Sequence, residues 1–125
     1  MNTTDIIDRL MNDDTIDGRD IRDRIEELES TGPESVELRD LIAFLHEAMQ
    51  YNSDADEGET IIAESYFVGY IKYMIDDCYD LPAELTSGEW PYRHITINYE
   101  AAAEEARADY AELTFRGRNF YILAC

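Results

Sequence analysis

The stretch 59–121 constrains the fold of this chain more than any other. It opens with ETIIAESYFVGYIKYMIDDCYD, in which Ile62, Tyr66, Phe67, Tyr70, Ile71, Tyr73, Met74 and Ile75 follow a helical spacing. A stripe that wide can bury most of one helix face, so the spacing predicts a helix from Glu59 with these side chains in a core. A loop with the only tryptophan follows (LPAELTSGEWPYRH), where Pro82, Gly88 and Pro91 bracket Trp90 and lay it onto that core. Asn98 is placed to cap a second helix, 99–110, whose Ala101, Ala102, Ala103, Ala106 and Ala108 favour helix and permit close packing. Leu113 and Phe115 then alternate with Glu112 and Thr114, and the turn at Arg116-Gly117-Arg118-Asn119 leads into Phe120-Tyr121-Ile122-Leu123, the pattern of an antiparallel hairpin.

The chain before this stretch reads as acidic helix. Thr4 and Asp5 open a short helix carrying Ile6, Ile7, Leu10 and Met11, ended by Asn12-Asp13-Asp14. Asp17 caps a second helix through Ser30, with Ile21, Ile25 and Leu28 on one narrow stripe. Thr31-Gly32-Pro33 breaks it, and Pro33 enters a third helix running to Tyr51, which completes a helical hairpin. The segment 52–58 (NSDADEG) reads as an acidic surface loop with nothing to bury, and the subdomain boundary is placed there. The expected organisation is an acidic helical region, 1–52, and a helical and β-hairpin domain, 59–125, either as separate units or around one shared core. The fold class is α+β and mainly helical: an acidic amino-terminal helical hairpin, two further helices and a small terminal antiparallel β-hairpin.

Charge supplies the functional signal. The 125 residues carry 29 acids against 10 bases, a formal net charge of -19, where a magnitude of about 2 to 8 suffices for solubility. Through Glu89 there are 24 acids and 6 bases, a net of -18, and beyond it 5 acids and 4 bases, a net of -1. B-DNA presents one negative charge per about 1.7 Å of axis, so such a surface matches roughly 30 Å of duplex. Direct binding to nucleic acid or to an anionic membrane is disfavoured by the same repulsion. Adaptation to a salt-rich habitat, with charge serving solvation only, is the competing explanation, and a content of 1 Lys against 9 Arg fits it. No apolar run approaches the roughly 18 residues of a membrane span, and no signal segment precedes the first helix, so a cytoplasmic protein is expected.

Catalytic patterns are absent. There is no glycine-rich phosphate loop, HExxH, CxxC or nucleophile elbow. His46 sits in an apolar helix as a half-buried side chain, His94 has no partner at a useful spacing, and Cys78 reads as a small buried hydrophobe with Cys125 a second free thiol. The loop 54–59 lacks the alternating ligands of a calcium site. Neither enzymatic activity, nor a cofactor, nor a metal is expected.

Ile95-Thr96-Ile97-Asn98 followed by YEAAAEEARADY and a strand pair resembles the end of ArdA-type antirestriction proteins, the matching residues being Tyr99, Glu100, Ala101, Asp109 and Tyr110, with Gly117 in the turn. The helix ESYFVGYIKYMIDDCYDLPAEL also looks like that family's preceding acidic helix, and ESYF, WPY and the Asp-Tyr helix resemble small phage accessory proteins without assigned function. The resemblance covers residues 60–123. It implies an acidic, non-enzymatic mimic of B-DNA that blocks type I restriction enzymes, acting in the host cytoplasm, and it makes a homodimer one expectation; since CRISPR complexes also present basic grooves, the expected target is a host defence enzyme of restriction or CRISPR type. Family members are longer, and here the amino-terminal acidic helices stand in place of their other domains. The carboxylates expected to meet such a partner are Asp20, Asp23, Glu26, Glu27, Asp40, Glu47, Asp76, Asp77, Asp80, Glu84, Glu100 and Glu104. The rival expectation is an acidic phage adaptor that binds its partner through an aromatic surface.

Overall fold

The computed structural model describes residues 6–32 and 34–125, so the expectations placed on Thr4, Asp5 and Pro33 lie outside the described residues. Among the described residues the fold is α+β and mainly helical, with five helices and one four-stranded antiparallel sheet. In chain order the elements are α1 (Ile6–Asn12), β1 (Thr15–Asp17), α2 (Gly18–Thr31), α3 (Val36–Tyr51), β2 (Thr60–Ala63), α4 (Phe67–Cys78), α5 (Tyr99–Ala106), β3 (Tyr110–Phe115) and β4 (Arg118–Leu123).

Capping chemistry sets the helix starts. Asp17 takes the backbone N–H of Arg19 at 2.8 Å to open α2, Ser35 Oγ takes that of Leu38 at 3.1 Å to open α3, and Asn98 takes that of Ala101 at 3.0 Å to open α5. Each cap satisfies a donor that the first turn leaves without a carbonyl. The β3–β4 turn places Arg116 and Gly117 at φ 49° and 85°, the two left-handed residues that a tight hairpin of matching twist requires.

The sheet runs in the order β1-β2-β4-β3 and separates two cores. Side chains alternate across a strand, and here both faces are covered. Ile61, Ala63, Leu113, Phe115, Phe120 and Ile122 point to one side, where α1, α2 and α3 add Ile6, Leu10, Ile21, Leu41, Phe44 and Ala48. Phe44 meets Phe115 and Phe120 edge to face with ring centres 5.4 and 5.6 Å apart. Ile62 and Tyr121 point to the other side, beneath Phe67 and Ile71 of α4 and Ala103 of α5. The layers are therefore three helices, the sheet, and two helices. Residues from both sides of 52–58 fill the first core.

Six local expectations are corrected. Residues 60–63 form β2 instead of the first turn of a long helix, because Ile61 and Ile62 are buried on opposite faces of the sheet. Trp90 is 72% exposed: the segment 79–98 folds on itself through short turns at Ala83–Thr86 and Tyr92–His94, with a cis Trp90–Pro91 peptide, and does not lay the indole on the core. Within α4 only Phe67 and Ile71 are buried, Tyr73 is half exposed, and Cys78, its last residue, is exposed, as is His46 in α3; Tyr73 and His46 lie off the helix faces that carry Phe67 and Ile71 in α4 and Leu41, Phe44, Leu45 and Ala48 in α3. Finally, the loop 52–58 does bury side chains, Asn52 and Ala55 both completely.

That loop docks on the start of α2. Gly18 N–H donates to Glu59 O at 3.0 Å, and Arg19 donates to Glu57 O at 2.9 Å. A Cβ built on Gly18 would lie 1.7 Å from the backbone oxygen of Ala55, a position no side-chain motion can relieve. Gly18→Ala should therefore push α2 and the loop apart and lower stability by about 3 kcal/mol, at the upper end of overpacking, read as a lower midpoint in urea with unchanged slope.

Candidate functional site

Carboxylates are the prevailing charge at the surface. Asn52 is the only buried polar side chain among the described residues, so every described acid reaches solvent. All ten cationic side chains, by contrast, are engaged within the chain. Arg9 holds Asp20 at 3.0 Å, Arg22 holds Asp23 at 3.3 Å, and Arg24 grips Glu37 with two nitrogens at 2.9 and 3.2 Å while also contacting Glu27. Arg39, Lys72, Arg107 and Arg116 pair with Glu34, Asp76, Glu112 and Asp40. Arg19 and Arg118 donate to backbone carbonyls, and Arg93 to His94. The Arg24 side chain is 12% exposed, and its fork joins α2 to α3; the other pairs are more exposed and individually weak.

The twelve acids singled out in the sequence fall on both outer layers. Asp20, Asp23, Glu26 and Glu27 lie along α2, where each is near an arginine and so partly neutralised. Asp40 and Glu47 border a small hollow between α3 and β3 together with Arg116. Asp77, Asp80 and Glu84 are exposed on the end of α4 and the segment after it, and Glu100 and Glu104 are exposed on α5. The structure gathers Asp76 and Asp80 around one hollow and Asp40 and Glu47 around another, and brings the remaining eight to no shared hollow among the described residues.

Asp76 is the centre of a clasp between α4 and α5. Its two oxygens accept from Tyr99 Oη at 2.6 Å and Lys72 Nζ at 3.0 Å. The tyrosine hydrogen bond first, and then the lysine, hold the Asp76 carboxyl below its ordinary value, while its own bond to Asp76 raises each of Tyr99 and Lys72.

Beside the clasp lies a feature that the charge pattern did not indicate. Ile71, Met74 and Ile75 of α4, Ala102 and Ala106 of α5, and Tyr110 and Leu123 of the sheet line an apolar trough of about 680 Å³, with Asp80 and Asp109 at its rim. Residues 79–81 separate it from a second, more polar hollow of about 710 Å³ that contains Asp76, Thr86, Thr96 and Tyr99. Burial raises the hydroxyl pKa of Tyr70 and Tyr110, both partly covered at this end of the second core. The alanines of α5 and the apolar turn Met74-Ile75 were the available signal: the helix has too little bulk to fill the space that α4 leaves open.

Among the described residues no three His, Cys, Asp or Glu side chains converge as metal ligands, and no helix is long and apolar enough to cross a membrane. Comparison with protein families, curated proteins and solved structures found no match to this chain.

The clasp has a defined pH window. Because folding lowers the Asp76 pKa, its contribution is fully present above the ordinary value of 3.8 and is lost as pH falls through the depressed folded value. Because folding raises the Tyr99 pKa, the clasp persists up to the ordinary value of 10.0 and is lost as pH climbs through the raised one. The melting temperature of Tyr99→Phe should lie below that of the parent throughout the neutral range, with the gap closing in strong acid and strong base.

Proposed function

We propose that the protein is a non-enzymatic anti-defence inhibitor of a phage or mobile element, which occupies the basic groove of a host DNA-binding defence enzyme by presenting carboxylates where DNA presents phosphates. The observation that carries this reading is the asymmetry of the surface: every cation is tied down within the chain, and the excess acids face outward. A partner approaching at a distance of about a Debye length, roughly 8 Å at physiological salt, meets a single sign of charge. The resemblance of residues 60–123 to ArdA-type proteins supports the same reading. The protein acts in the host cytoplasm, uses no cofactor, and does not bind nucleic acid or membrane itself. Dispersal of the acids over both outer layers suits a groove that wraps its ligand, as a restriction or CRISPR-type enzyme wraps duplex.

The adaptor reading is favoured by a different observation. Tyr79, Trp90, Tyr92 and Ile95 stand exposed on one segment, and aromatic side chains of this kind anchor protein interfaces. The two readings divide on salt. Imitation of DNA makes affinity fall steeply with salt, since the partner's basic groove is the common element. A captured host enzyme should release the protein on addition of excess duplex and on raising salt, and amide replacement of Asp77, Glu84, Glu100 and Glu104 together should weaken binding while each alone changes it little. Simultaneous binding of duplex and protein, with affinity flat in salt, would leave the adaptor reading in its place.

A further inference from the structure

We propose that the trough between α4 and α5 is the docking site for a cationic amphipathic segment of a partner protein, whose apolar side chains seat on Ile71, Met74 and Ile75 and whose lysines or arginines meet Asp80 and Asp109. This site shares Asp80 with the acids assigned to DNA imitation, but its apolar floor does not depend on that reading. The second core is closed only at its sheet end: Ile62, Phe67, Ile71, Ala103 and Tyr121 are buried, whereas Met74, Ile75, Ala102, Ala106 and Tyr110 are covered only in part. The hollow of about 680 Å³ lies within the range of sites that receive ligand side chains, about 300 to 1,000 Å³. Leu123 and Tyr79 extend its apolar wall outward, 40% and 64% exposed.

Charge selects the occupant. The rim carries Asp80 and Asp109, and the hollow across residues 79–81 adds Asp76. A second copy of this chain would bring the same carboxylates and a net charge of -19, and lipid headgroups or phosphates of anionic membranes and nucleic acids are repelled in the same way. A segment that alternates apolar and basic side chains satisfies both the trough and its rim, in the manner of a helix laid into a groove.

The probe is a synthetic leucine and lysine peptide of helical spacing, compared with a form in which the leucines are serine and one in which the lysines are glutamine. Binding is followed on the full chain by amide NMR shifts and by titration at low salt and at about 1 M salt, where the Debye length is about 3 Å. The parent peptide should shift amides of α4, α5 and residues 79–81, keep measurable affinity in high salt, and bind at least about tenfold more tightly than the serine form. Tyr79→Ser and Leu123→Ser should each weaken it by about tenfold with little change in melting temperature, as both side chains are substantially exposed. Equal affinity for the serine peptide, or shifts confined to the acids of α2 and α3, would overturn the proposal. So would self-association of the chain abolished by the same substitutions, since the trough would then belong to a second copy.

Discussion

Asn52 is the interaction on which the assembly of the layers depends. Its side-chain amide donates to Leu123 O at 2.9 Å across 71 residues of sequence, and its side-chain oxygen accepts from Asp54 N at 2.9 Å. Its own backbone N–H closes α3 on Ala48 O, and its carbonyl receives Ala55 N. A fully buried amide with these groups satisfied stabilises modestly, but loss of one partner leaves the others unmet in a dry site, at about 1 to 3 kcal/mol each. The bonds are directional, so they also fix where α3 stops, how the loop turns, and where β4 ends; Cys125 N reaching Tyr51 O at 3.0 Å reinforces the same seam.

With that seam in place, the charged surface becomes tolerable. Self-repulsion among so many acids disfavours compaction, and the opposing term is a pair of apolar layers on either side of one sheet, with β4 contributing to both. Three of the arginines act as staples between elements: Arg24 joins α2 to α3, Arg116 joins the hairpin turn to α3 at Asp40, and Arg118 ties β4 to the end of α1. The fold thus uses its few cations internally and leaves an anionic exterior as a by-product of its own stabilisation.

What could be read directly from the sequence was local chemistry. Asp17 and Asn98 announce their helices because a short polar side chain before a helical run has one good use, and Gly117 between two alternating runs announces a hairpin because glycine accepts left-handed φ without strain, whereas Arg116 at φ 49° gives no such signal. β2 was hidden because Ile62 stands four residues before Tyr66 and so passes for the start of the helical stripe; buried on both faces, Ile61 and Ile62 show no alternation to betray a strand. β1, three residues between two helices, is defined only by its pairing with β2. The environment of Trp90 depends on where segment 79–98 comes to rest, which no short-range pattern encodes. Gly18 was passed over for a similar reason, as the backbone it must admit is 37 residues distant in sequence. Of the candidate surface, the excess of acid was plain in the composition, whereas its partition between paired and outward-facing carboxylates required the arginine positions. The trough arises from missing volume along α5 and has no sequence motif.

The position of β4 has a consequence for folding. It lies between β2 and β3 in the sheet, yet it comes last in chain order among the described elements. Until it pairs, β2 lacks its inner neighbour, the apolar faces of α2 and α3 have only half a surface to settle on, and Asn52 has no carbonyl to grasp. Closure of the two cores is therefore a long-range step, in which β4 must reach back to residues 62 and 63 and to Asn52.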